Sequence, residues 1–139
     1  MRTLIAGGGV IGTSTAYHLT ARGVDVIVIE RSAIACAASG KSGGFLARDW
    51  CDGMPLMHLA RRSFALHAEL AERRIGEWGY RRMTTYGGIV RPSSTSASRR
   101  AGLGWVSPNV SINGQLGSTA NTAQVQPAAF TTCMMRAFS

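Results

Sequence analysis

Acidic residues are few in this 139-residue chain, and the last of the seven is Glu77. Fifteen basic residues, all arginine except Lys41, leave a formal net charge of +8, so an acidic tail is excluded. Charged residues amount to 16%, below the roughly 25% of an ordinary soluble domain. Cysteine is confined to Cys36, Cys51 and Cys133, an odd number, widely spaced and without a CxxC pair. That excludes a disulfide framework and suits free thiols in a reducing compartment. Histidine occurs only at His18, His58 and His67, so no metal-ligand cluster is expected. Despite 17 glycines there is no Gly-X-Y period, which excludes collagen, and no apolar run of about 18 residues marks a membrane-spanning helix. Arg2 leads straight into a strand pattern, so no signal peptide is expected ahead of it.

What is present fits one domain with a real core: 45% of the residues are apolar. The basic excess has two readings. One is a surface excess, or a chain whose acidic portion lies elsewhere. The other is a nucleic-acid-binding protein, whose affinity would fall steeply with salt. The arginines are scattered, however, with no dense stripe, zinc knuckle, GXXG clamp or RNP run.

The pattern along the chain begins with a strand at Arg2–Ala6, where Leu4, Ile5 and Ala6 form an apolar run. Gly7-Gly8-Gly9 follows, then a helix from about Val10 to Arg22 that packs through Ala16, Tyr17 and Leu19 and stops at Gly23. Asp25–Glu30 is the next strand. Its four consecutive β-branched residues, Val26 to Ile29, predict burial on both faces, as in a parallel sheet covered by helices. Residues 2–30 thus form a βαβ unit. An irregular cofactor loop is expected over 31–53 and an amphipathic helix over 55–75, with Leu56, Leu59, Phe64 and Leu70 on its apolar side. Strands and long loops fill 80–126: one or two strands within Tyr80–Val90, for example Tyr80–Thr84 and Gly88–Val90, and loop over 92–123. A final helix begins at about 128, and its pattern runs to the last residue, 139, without a stop.

Gly7-Gly8-Gly9-Val10-Ile11-Gly12 fits G-x-G-x-x-G, and Ala16 extends it. Gly7 allows the tight turn off the strand, Gly9 lets the backbone approach a pyrophosphate, and Gly12 lets the helix sit close to the strands. The N–H groups of Val10 and Ile11 would then face the phosphates from the positive end of the helix dipole. Glu30, 18 residues after Gly12, ends the second strand, where a carboxylate can accept the two hydroxyl hydrogens of an adenosine ribose. Strand, glycine turn, helix, second strand and acid together point to a dinucleotide. The pattern does not separate FAD from NAD, so a nicotinamide-dependent dehydrogenase domain stays open. Ala38-Ser39-Gly40-Lys41-Ser42 is not a P-loop, because it lacks the first glycine of that motif and its strand-to-helix setting.

IAGGGVIGTSTAYHLTARGVDVIVIE at residues 5–30, followed by RSAIACAASGKSGGFLA at 31–47, resembles the N-terminal part of the FAD-dependent oxidoreductases of the D-amino-acid oxidase and glycine oxidase type. The second block is the more discriminating. Thr122–Pro127 is also similar to the family, although Gln126 stands where a His or Asp usually precedes the proline. The resemblance implies an α/β, Rossmann-like FAD-binding domain of the glutathione-reductase type. It is expected to be incomplete over 1–139, with the substrate domain largely missing. In the complete protein, the C–N bond of an amino acid or secondary amine would be oxidised by hydride transfer to the flavin, with O2 a common electron acceptor. The flavin carries the electron chemistry, so no catalytic residue is nominated and this fragment is expected to be inactive alone. For the cofactor, the resemblance implies Gly7, Gly9, Val10, Ile11, Gly12, Glu30 and Arg31 toward the ADP half. Ser39, Gly40 and Lys41 would lie near the pyrophosphate or ribityl oxygens, and Ser42, Gly43, Gly44 and Phe45 near the isoalloxazine. No metal, nucleic acid or membrane partner is expected, and the compartment is expected to be cytoplasmic, with mitochondrial or peroxisomal placement open. The histidines, and Trp50, Trp78 and Trp105, read as packing or surface residues.

Overall fold

A computed structural model describes residues 2–73, 76–88, 99–100, 104, 111–112 and 116–137. In chain order its elements are β1 (Arg2–Ala6), α1 (Val10–Thr20), β2 (Asp25–Ile29), α2 (Ala38–Lys41), β3 (Phe45–Ala47), α3 (Met57–Glu72), β4 (Arg81–Gly88), β5 (Arg99–Arg100), β6 (Ser111–Ile112), β7 (Leu116–Gln124) and α4 (Pro127–Arg136). The fold is mixed α/β, and its first unit is a partial Rossmann-type dinucleotide-binding fold.

β1 and β2 pair in parallel from Arg2 opposite Asp25 to Ala6 opposite Ile29, with α1 as the crossover. This is the expected βαβ unit, with one correction. β2 is not buried on both faces: Ile27 and Ile29 are exposed, Ile29 to 57%, and on β1 so are Leu4 (63%) and Ala6. The alternation of the pleat sends these residues to a face that no described element covers.

A second sheet is antiparallel, in the order β3-β7-β4. Phe45 and Arg81 flank Gln124 from opposite sides, and the β4–β7 register slips between Met83 and Thr85. Buried Thr122 serves this sheet with its hydroxyl, which donates to the Met83 carbonyl at 2.6 Å and lies 3.0 Å from Thr85 Oγ1. Residues 116–124 are therefore strand, not the expected loop, and of the one or two strands expected over 80–90 the structure has one, β4, across 81–88. Ile89, Val90 and Trp105 lie outside the described residues. The loop expected over 31–53 contains α2 and β3. β5 pairs β6 through two residue pairs.

The helix over 55–75 is shorter than its pattern. α3 spans Met57–Glu72 with Leu56 at its N-cap, and Leu56 and Leu59 are exposed while Phe64 and Leu70 are buried. α4 also differs from expectation. Pro127 itself opens it, where a missing N–H costs nothing, and it ends at Arg136, with the Ala137 N–H donating to the Cys133 carbonyl at 3.0 Å. The core gathers Leu70 of α3, Trp78, Val125, and Phe130 and Met134 of α4, against which Val10 and Tyr17 of α1 and Leu46 of β3 pack. The Trp78 and Phe130 rings meet at 4.7 Å between centroids, tilted by 58°, within the favoured range for an aromatic pair. The Val125 N–H donates to the Gly44 carbonyl at 2.9 Å, which fixes the end of the loop that faces α1.

Candidate functional site

Gly7 leaves β1 at φ +107, a conformation that favours glycine, and its N–H donates to the Ile29 carbonyl at 2.7 Å. The next N–H, of Gly8, donates to Glu30 Oε2 at 2.7 Å, and that of Ser32 donates to Glu30 Oε1 at 2.8 Å. These two bonds hold the Glu30 carboxyl below its ordinary range, the Gly8 contact first, against a smaller opposing effect of burial. Glu30 therefore clamps the glycine turn to the end of β2. Its two oxygens offer about four lone-pair sites, so they retain acceptor capacity beyond these two bonds.

The other motif glycines have different neighbours. A Cβ on Gly12 would collide with the Gly7 carbonyl oxygen and come within 3.3 Å of Ile5 Cγ2, so Gly12 is where α1 lies on the β1 turn. A Cβ on Gly9 would lie 2.9 Å from Ser39 Oγ, and the same hydroxyl accepts the Val10 N–H at 2.9 Å. The space beside Gly9 thus receives Ser39. A Cβ on Gly7 would meet nothing within 4 Å, so that side of the turn is open. Among the first N–H groups of α1, which no helix can satisfy internally, Ile11 and Gly12 follow Val10. The first turn has no acidic residue to offset the helix dipole.

The structure brings Gly7, Gly9, Val10, Gly12, Glu30 and Ser39 together around the N-terminus of α1. A second group lies beyond it: Ser42, Gly43, Gly44 and Phe45 share with Val10, Ile11 and Ser39 the wall of a cavity of about 860 Å³, mostly apolar, between α1, α3 and α4. Gly40 packs instead on the Ala35 carbonyl, while Arg31 and Lys41 are exposed and outside that wall. His67 lines the cavity and stacks on Phe130 at 5.1 Å, a packing role.

Sequence reasoning missed Gly8, Ile34 and Ala35. The Gly8 carbonyl accepts the Ala35 N–H at 3.1 Å, and a Cβ on Gly8 would crowd Ile34 Cδ1 at 2.5 Å and Glu30 Cβ at 3.2 Å. A glycine at the free position between Gly7 and Gly9 was the available signal. Buried Ala35 takes φ +59, alone among the described non-glycine residues, and nothing in the sequence announces it.

The chain matches the family described as DAO, FAD dependent oxidoreductase, over residues 2–139. A Schizosaccharomyces pombe protein named as an oxidoreductase is 36% identical over 137 residues, 91% of this chain and 36% of the relative. D-amino acid dehydrogenase of Xylella fastidiosa is 37% identical over 84 residues, 56% of this chain and 19% of the relative. Among solved structures, glycine oxidase of Bacillus cereus superposes with a TM-score of 0.74 at 26% identity, covering 98% of this chain and 44% of that one. The chain therefore spans less than half the length of each of these relatives.

Proposed function

The chain belongs to the FAD-dependent oxidoreductase family, and from that premise we propose that it forms the ADP-binding portion of an enzyme that oxidises the C–N bond of an amino acid or amine. The substrate class is supported by the likeness to glycine oxidase and D-amino acid dehydrogenase. The observation that carries the cofactor reading is the junction of an open glycine turn, the unneutralised N-terminus of α1 and the Glu30 carboxylate at the end of β2.

These residues fit FAD. Gly7 leaves open space on one side of the turn, and the dipole end of α1 with the Ile11 and Gly12 N–H groups favours the pyrophosphate. Glu30 accepts from the ribose hydroxyls, and Arg31 lies next to it in sequence. Ser39, Gly40 and Lys41 flank the path toward Ser42, Gly43, Gly44 and Phe45. There the mostly apolar cavity wall supplies a water-poor surface for the isoalloxazine. When bound, FAD supplies the acceptor for a hydride leaving the carbon that bears nitrogen. This chain's own residues bind, orient and exclude water, and we assign none of them a proton transfer. The chain spans 36% of the Schizosaccharomyces pombe relative and 44% of the Bacillus cereus glycine oxidase, and substrate binding and turnover are assigned to parts of the protein other than these residues. No described helix is long and apolar enough to cross a membrane.

Titration of the purified chain with FAD, followed by flavin absorbance and fluorescence, tests the reading. Saturable uptake that NAD does not compete away is expected. Uptake of NAD in preference, or of neither, would refute it.

A further inference from the structure

Residues 31–44 pass across the mouth of the glycine turn as a strap. At its start, Ala35 donates to the Gly8 carbonyl at 3.1 Å, and at its end the Gly44 carbonyl accepts from Val125 at 2.9 Å. Between them the strap has little of its own to hold it. α2 is four residues long, has no side-chain cap and contributes no buried residue. Its internal bonds are local, such as Gly40 N–H to the Ala37 carbonyl at 3.2 Å. This middle stretch lies against α4, and Gln124 Nε2 donates to the Gly43 carbonyl at 3.5 Å, while its tie to α1 is the Ser39 hydroxyl on the Val10 N–H, seated in the gap that Gly9 leaves. A helix N-terminal N–H needs an acceptor, and a strap without a core needs an anchor. One hydroxyl meets both needs.

We propose that Ser39 is a positioning residue that pins the strap to the first turn of α1, and so sets where Ser42–Phe45 stand relative to the open glycine turn. The proposal rests on the cofactor reading above, because only then does that placement matter for binding. Ser39 acts through Val10, and Gly9 is glycine because Ser39 sits there.

The strap contains its own reporter. Lys41 is exposed and two residues from the pin, so trypsin cleavage after Lys41 measures local opening. Cleavage after Arg48, whose N–H is bonded to the Asn121 carbonyl at 2.9 Å, serves as the internal reference. In the 139-residue chain, Ser39→Ala is expected to speed cleavage after Lys41 about 3–10-fold relative to Arg48, the effect of losing one hydrogen bond. Ser39→Thr, which keeps the hydroxyl, is expected to restore most of the protection. FAD affinity, measured by fluorescence, falls in Ser39→Ala by a similar factor and recovers in Ser39→Thr. Thermal unfolding of each variant separates a local effect from a global one. Equal cleavage of Ser39→Ala and the parent overturns the pin. Faster cleavage with unchanged FAD affinity overturns the positioning role. If no variant and not the parent takes up FAD, the cofactor reading fails, and with it the role toward the cofactor, while the cleavage ratio still decides the pin.

Discussion

Gly12→Ala adds one methyl where α1 rests on the β1 turn. The new Cβ would fall on the Gly7 carbonyl oxygen, well inside the 3.0 Å that real Cβ atoms keep, and 3.3 Å from Ile5 Cγ2. That carbonyl cannot swing away cheaply, because it belongs to the same peptide unit as the Gly8 N–H, which Glu30 holds at 2.7 Å. Either α1 retreats or the Glu30 clamp opens. Alanine is a better helix former than glycine by about 1 kcal/mol, which opposes the clash. Overpacking of a tight contact costs about 1–3 kcal/mol, and a backbone obstacle places this site at the upper end. The net expectation is a loss of about 2 kcal/mol, or a fall in Tm of roughly 6 °C for a chain of this size. Thermal unfolding by far-UV circular dichroism measures it, with Thr15→Ala, at an exposed position of the same helix, as the control that changes by a few tenths of a kcal/mol. FAD binding should weaken as well, because the N-terminus of α1 moves. A Gly12→Ala chain that melts at or above the parent temperature would refute the close approach and the reasoning built on it.

Three further outcomes are expected. A carboxyl with a lowered pKa contributes stability that is present above its ordinary value, 4.5 for glutamate, and is lost as the pH falls through the lowered one; Glu30→Gln should therefore differ from the parent most near neutrality and converge with it in acid in urea unfolding, and parallel curves would contradict the clamp. Met134→Ala empties fully buried space beside Trp78 and Phe130 and should cost about 2–5 kcal/mol by the same measurement, a loss under 1 kcal/mol showing that the core is not where it is drawn. Gly44 and Gly53 have φ +68 and +79, but only Gly44 has a carbonyl, that of Val125, where a Cβ would go; Gly53→Ala should cost about 1 kcal/mol and Gly44→Ala clearly more, and equal costs would remove the contact from the account.

The βαβ unit is legible because its signals are local. An apolar run, a glycine turn, a helical repeat and a β-branched run follow one another in about 30 residues, and β1 and β2 appear where those signals place them. β7 is not legible. LGSTANTAQ has neither apolar alternation nor β-branched density, and it becomes a strand because β3 and β4 pair with it on either side. Hydrogen bonding to distant residues, such as Thr122 to Met83, does what the local sequence does not. α2 is too short for any periodicity. At the site, the residue types and their neighbourhood could be read. The purpose of the gap at Gly9 could not, because a missing side chain reveals that space is needed and not which atom occupies it.

The exposed face of β1 and β2 separates clarity of signal from resistance to opening. The unit with the sharpest sequence signature is a two-stranded ladder in which Leu4, Ile27 and Ile29 face outward, whereas β7, with the least signature, is bonded along both edges. Amide hydrogen exchange follows local opening free energy, which rises with the number of paired neighbours and with covered apolar surface. In this chain the amides of β1 and β2 should therefore exchange ahead of those of Thr122 and Ala123. Whatever covers Leu4, Ile27 and Ile29, whether another part of the protein or a second copy, would slow exchange in β1 and β2 first and leave β7 unchanged. The site at the end of these two strands would then gain its rigidity from a surface it does not itself contain.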